Sequence, residues 1–292
     1  MFERKSERDI FASVVPLGFI LIIAILSLAL LSFQATTVPQ LNEESEIRAQ
    51  NEIETDFVRL DSTIYRVATN GIQQPFLLGE PVRYPPNLQP IQRPNPTLRT
   101  IGPYQAKIDN TIYAQNATDF IKTRQTNSIV YEPNFNYFEN ARSFGYEHGI
   151  FYTASPNSSK GNSSVLIRDE QTLIDDQTIT LVSLKSDVDF SSQSPARLSI
   201  SEDSQKEFNT EIRNQFGSEV TITLPTRLAE SYWQDLLESE KSENGGHVTN
   251  VEYSTFNPDT GIEEDNVNYV TIELESGVDY NLNMYTVTIR RT

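Results

Sequence analysis

The sequence predicts an N-terminal transmembrane α-helix and an amphipathic helix, followed by a mainly antiparallel β head, sandwich-like, with one short helix. Three observations predict this class. Phe11 to Phe33 holds no charged residue. Ile53, Phe57, Leu60, Ile64 and Val67 recur at spacings of 4, 3, 4 and 3. Past residue 104, short period-two runs alternate with turn residues.

Composition sets the chemical limits. The chain has 292 residues, with 40 acidic against 23 basic side chains and a net charge of −17. Such a field repels phosphate backbones, so nucleic-acid binding is disfavoured. Cysteine is absent and histidine occurs twice, which removes disulfide scaffolds, thiol nucleophiles and Cys-bearing zinc sites. Only seven of the basic residues are Lys, and a Lys-poor acidic surface suits a halophilic setting where salt screens the repulsion.

At about 1.5 Å per residue, the stretch from Phe11 to Phe33 crosses a hydrocarbon core of about 30 Å. Arg4, Lys5 and Arg8 precede it and the next basic residue is Arg48, so the positive-inside rule places the N-terminus in the cytoplasm and the rest outside the cell. The division is then 1–12 as a cytoplasmic leader, 13–34 as the span, 40–70 as an amphipathic stalk, 71–103 as a connection and 104–292 as the extracellular head, with a break near 155–163 between two subdomains. A secretory signal has a shorter apolar stretch and a clear cleavage pattern, which QATTVPQ after Phe33 does not supply.

The near side of the span resembles the processing site of archaeal type IV pilin-like proteins. Ala12 corresponds to the last leader residue, and Ser13-Val14-Val15-Pro16 to the mature start, with Pro16 in the first helical turn where its missing N–H loses no bond. Leu17 stands where many bacterial pilins carry Glu. The resemblance implies cleavage between Ala12 and Ser13, assembly with other pilin-like subunits or with itself through the apolar helix, and a surface filament. A single-pass anchor that is never cut is the alternative. Residues 140–290 resemble membrane-anchored surface proteins of halophilic archaea with pilin-like N-termini, through Tyr146-Glu147-His148-Gly149-Ile150-Phe151-Tyr152, Leu224-Pro225-Thr226 and Gly246-His247-Val248. This likeness implies setting and architecture but no chemistry.

The stripe Ile53, Phe57, Leu60, Ile64 and Val67 suits packing onto the following domain, or an assembly seam between two copies. Asn70-Gly71 closes that helix as a left-handed C-cap. A stalk from 41 to 69 would reach about 43 Å from the membrane. Eight prolines between Pro75 and Pro103 predict an extended connection that is neither helix nor central strand. Strands are expected over 104–113, 128–132, 143–153, 163–168, 178–184, 196–201, 219–224, 247–253, 267–275 and 280–290, and a helix from Thr226 to Lys241. His148-Gly149 reads as a two-residue hairpin turn, since His tolerates positive φ better than most residues.

No residue constellation predicts an enzyme, a cofactor or a metal. His148 reads as a turn residue and His247 as a surface or satisfied histidine. The acid pairs Asp169-Glu170 and Asp175-Asp176 read as solvated surface, and Asn257 to Asp265 departs from the spacing of a calcium loop. Asn116, Asn157 and Asn162 open glycosylation sequons on the outer side. The expected role is a non-enzymatic pilin-like or minor-pilin subunit of the cell surface, with membrane lipid as a partner; a permanently anchored binding module of the archaeal envelope is the alternative.

Overall fold

The computed structural model describes residues 4–86, 90, 93–112, 120–154, 164–166, 173–191, 194–203, 208–212, 218–238, 240–241, 246–257 and 267–292, with side chains from Gly18 onward except at 109–112, 120–122, 164–166, 208–211 and 218–219. One helix runs without a break from Arg4 to Asn70. Its first part, α1 (Arg4–Ser32), passes through a π-helical turn (Phe33–Thr37) into α2 (Val38–Asn70). The apolar part is long and hydrophobic enough to cross a membrane, with a mean hydropathy of 2.4 and none of that window buried. It is apolar all round, as a lipid-facing helix is. Past Thr37 the exposure becomes one-sided, and Gly71 ends the helix at φ +68, with its N–H donating to the Val67 carbonyl.

Two sheets make the head. The first orders β1 (Gln74–Leu78), β10 (Ala196–Glu202), β15 (Tyr280–Arg291), β8 (Thr178–Ser186) and β7 (Ile174–Asp175), with β11 (Phe208–Ile212) also on β15. The second orders β13 (Val248–Ser254), β14 (Asn268–Leu274), β12 (Ser218–Thr226), β2 (Thr97–Ile112), β3 (Phe120–Glu132), β4 (Ser143–Glu147), β5 (Ile150–Ala154) and β6 (Ser164–Leu166), with β9 (Phe190–Ser191) on β2. Among the described strands, all pairings are antiparallel except β8 with β15, which is parallel. The exposed N–H groups of β8 and the chain beyond it meet side chains of the second sheet. Thr126 Oγ1 accepts from Leu184, Asn127 Oδ1 from Ser186 and Thr100 Oγ1 from Val188, so the edge is covered rather than left open.

There are two cores. One gathers Ile108, Leu181, Ile222, Ile272, Met284 and Trp233, the last from the short helix α3 (Glu230–Leu236). The other gathers α2 with both sheets: Ile53, Phe57, Leu60, Ile64 and Val67 meet Ile129, Phe144, Leu198 and Val287. Phe57 stacks on Phe144 and Phe151 at centroid distances of 5.5 and 5.4 Å and meets Tyr131 edge-on at 6.2 Å. Strands β8 and β15 serve both cores, their first halves supplying Leu181 and Met284 to one and their second halves Leu184 and Ile289 to the other.

Several expectations change. The stretch 40–70 is no free stalk, because the head covers it from Asn42, and the stripe predicted as a possible assembly seam lies within this chain's own core, 0 to 2% exposed. The Pro-rich stretch is not all connection. β1 holds Pro75 at a sheet edge, and β2 starts at Thr97 and carries Pro103 where its pairing with β3 shifts between Ile101 and Tyr104, so the missing N–H falls on the irregularity. The helix expected over 226–241 covers only Glu230–Leu236, since Pro225 and Thr226 pair in β12. Residues 155–163 lie outside the described residues, yet strands from before and after them share both sheets, which argues against two subdomains. The hairpin turn falls at His148 (φ 53) and Gly149 (φ 91), between the paired Glu147 and Ile150.

Phe57→Ala is expected to lower the unfolding free energy by about 3–5 kcal/mol, and Tyr65→Ala on the exposed face by no more than about 0.5 kcal/mol. Urea denaturation in detergent, followed by Trp233 fluorescence, measures both.

Candidate functional site

The junction between helix and head is built from polar groups on α2. Counting back from Ile53 by 4, 3 and 4 gives Ala49, Glu46 and Asn42, so the apolar stripe continues toward the membrane as a stripe of mixed polarity. All three are buried, Glu46 and Asn42 completely. The Glu46 carboxylate accepts from the backbone N–H groups of Asn136 at 3.1 Å, Tyr137 at 2.8 Å and Phe138 at 2.8 Å, and from the Tyr84 hydroxyl at 2.6 Å. Successive N–H groups converging on a carboxylate form an anion nest. Burial and the adjoining Glu46 together push the Tyr84 phenol well above its usual range, so it remains a donor. One turn further on, Gln50 Oε1 accepts from the Arg142 N–H at 2.8 Å, and Asp56 Oδ2 accepts from the Gly79 N–H at 3.1 Å. Burial raises the Asp56 pKa, against the opposing pull of the Gly79 N–H and Arg59.

Beside this junction lies a small cleft of about 40 Å³ lined by Ile53, Tyr84, Arg93, Pro94, Tyr131 and Phe135 among others. It is mainly apolar, with Arg93 as a cationic lining residue.

The pKa values of the two histidines shift in opposite directions for geometric reasons. His148 Nε2 lies 2.6 Å from the Pro225 carbonyl, which can only accept, so this nitrogen carries the proton. Its Nδ1 is buried with no hydrogen-bond partner, and burial pushes the pKa down, leaving a neutral ring. The adjoining Glu147 carboxylate takes the Ser128 hydroxyl at 3.1 Å, the Thr226 hydroxyl at 2.5 Å and the Arg227 N–H at 3.1 Å. Trp233 Nε1 donates to Thr226 Oγ1 at 2.9 Å. Ser128 donates to Glu147, and the cluster ties the hairpin tip to the end of β12.

His247 sits between two carboxylates, with Nδ1 2.9 Å from Glu275 Oε2 and Nε2 3.1 Å from Asp176 Oδ1. Each oxygen accepts, so both nitrogens carry protons, and the hydrogen bond to Glu275 leads the causes that raise the pKa. Tyr280 packs edge-on at 6.1 Å. This pins the start of β13 to the end of β14 and to the turn at Asp176 (φ 49). Among the described residues no group of three or more His, Cys, Asp or Glu side chains is placed to hold a metal.

Ala12 and Ser13, the expected processing pair, fall within α1. Asn116, Asn157 and Asn162 lie outside the described residues, as do Asp169, Glu170 and most of the stretch from Asn257 to Asp265. No protein-family model, curated protein or solved structure matches the chain.

Two outcomes follow. Glu46→Ala leaves three N–H groups and the Tyr84 hydroxyl without their acceptor, and at about 1 kcal/mol each is expected to lower stability by at least about 3 kcal/mol in urea denaturation. For His247 the raised folded pKa means that its contribution is full below about pH 6.5, the unfolded value, and is lost as pH rises through the folded value. Wild type is thus expected to exceed His247→Gln in stability at pH 5.5 and to lose much of that advantage by pH 9, as read from denaturation midpoints in low salt.

Proposed function

We propose that this chain is a non-enzymatic, single-pass protein of the cell surface that acts as a pilin-like subunit, its N-terminus cytoplasmic and its β head outside. One observation carries the reading: an apolar helix, exposed all round from Phe19 to Phe33, continues without a break into a helix whose next stripe is the wall of the head's core. A head fused in this way to a hydrophobic rod suits assembly in which the rods pack together and the heads decorate the outside. Arg4, Lys5 and Arg8 support the orientation, and Ala12 with Ser13-Val14-Val15-Pro16 supports cleavage and release of the rod from the bilayer. The net charge of −17 favours a salty exterior and disfavours a nucleic-acid partner. The polar clusters around Glu46, Glu147 and His247 support a structural reading, since their main polar groups bond to the chain itself.

The mature N-terminus tests this. Peptide mass spectrometry on native membranes and on material sheared from cells is expected to find a start at Ser13, with the protein present in the sheared fraction. A start at Met1 confined to membranes would overturn the filament reading in favour of a permanently anchored binding module.

A further inference from the structure

We propose that copies of this chain dock head to tail, the outer face of the first sheet in one copy receiving the exposed face of α2 from the next. The inference rests on the subunit reading above and deepens it by naming a second copy as the partner of the head.

The first sheet stands between the two surfaces. Phe76, Leu78, Leu198, Ile200, Val287 and Ile289 belong to the core around α2. By strand alternation Leu77, Arg197, Ser199 and Arg290 lie on the opposite face. Register brings them together: Leu77 stands opposite Arg197, and Arg290 stands opposite Ser199, two residues further along β10. Leu77 is 58% exposed, and both arginines are exposed. Diagonal neighbours on adjacent strands lie about 7–8 Å apart, so two like charges are held close. Neither guanidinium has an ion pair or hydrogen bond among the described residues. A chain of net charge −17 thus presents a cationic pair beside an exposed leucine.

The free side of α2 carries the complement. Glu44, Ile47, Asn51, Glu54 and Val58 recur at spacings of 3, 4, 3 and 4, a second stripe turned away from the core stripe. Glu44, Ile47 and Asn51 are exposed, Glu54 and Val58 half-buried, and neither carboxylate has a partner among the described residues. Asn51, Glu54, Thr55 and Val58 line a shallow open groove. Leu77 supplies an apolar knob for it, and Arg197 and Arg290 supply forked donors that match carboxylates. The heights agree as well. Arg66 bonds to Gln74 and the Gly79 N–H to Asp56, so Leu77 lies between those levels of α2, within about two helical turns of the groove. Copies whose spans lie parallel in one bilayer can therefore meet in this way. A two-fold pairing would set arginine against arginine, whereas surfaces on opposite sides of the sheet make a heterologous contact that extends as a row. Molar salt, with a Debye length of about 3 Å, screens the repulsion between acidic copies and leaves contact pairs in place.

The absence of cysteine allows disulfide trapping in the full chain, reconstituted in phosphatidylcholine vesicles in molar NaCl. Leu77→Cys and Thr55→Cys are each expected to stay monomeric alone, a mixture of the two to give dimers, and the double variant to give a ladder of higher oligomers. Adding Arg197→Glu and Arg290→Glu to the Leu77→Cys chain is expected to lower the dimer yield about fivefold. Pairing that chain with Thr55→Cys carrying Glu44→Arg and Glu54→Arg is expected to restore it, with urea denaturation checking that each variant folds. No dimer from the mixture would overturn the contact, as would a yield that charge reversal leaves unchanged or dimers from Leu77→Cys alone. The mature N-terminus is read separately. A start at Ser13 in sheared material without trapped dimers would overturn the contact and leave the subunit reading standing; a ladder from a chain that starts at Met1 would leave a contact between anchored copies and overturn the filament.

Discussion

A helix that runs unbroken from an exposed apolar segment into the core of the head leaves the head little freedom. The backbone from Arg4 to Asn70 has one axis, so the stripe presented by α2 is fixed in direction by the helix that precedes it. The second core depends on that stripe. Phe57 touches rings from β3, β4 and β5, while Leu198, Val287 and Ile289 come from the other sheet. Remove the helix and two sheets face each other across a missing wall. The hydrophobic effect that closes the head is therefore the same interaction that couples it to the apolar helix.

Glu46, Gln50, Asp56 and Asp61 on α2 serve this coupling through partners of matching type. Glu46 meets three N–H groups and a phenol, Gln50 and Asp56 one N–H each, and Asp61 lies close enough to the fully buried Tyr146 to help burial suppress its ionisation. A buried carboxylate is tolerable only with such donors. His148 and His247 illustrate the same rule with opposite outcomes: burial against a carbonyl lowers the pKa of one, and two facing carboxylates raise that of the other.

Much of this plan is legible in the sequence because it is local. The span, the stripe, the Gly71 cap and the His148-Gly149 turn are each encoded within a few residues, by charge exclusion, 3.6-residue periodicity and tolerance of positive φ. What periodicity does not encode is pairing at a distance. Strand β1 hides among prolines because its partner, β10, lies more than a hundred residues away. The short strands β7 and β9 exist only through their partners. The helix at 226–241 is cut short because Thr226 is needed in β12 and as an acceptor for Trp233. Glu46 is missed for a different reason: the stripe passes through it, but a charged residue at a stripe position reads as the stripe's end unless a nest of N–H groups awaits it.

Strand β15 lies beside β8, β10 and β11 and yet follows all of them in the chain. A parallel neighbour about a hundred residues upstream has no local turn to hold it in place, so closing that pair requires a large loop to order at once. If the chain emerges from its N-terminal helix onward, α2 and strands β2 to β6 are available early, while the first sheet waits for β15. Until then Leu184, Leu198 and the stripe of α2 lack their central strand. Completion of the first sheet thus waits on its last strand, and with it the closure of both cores.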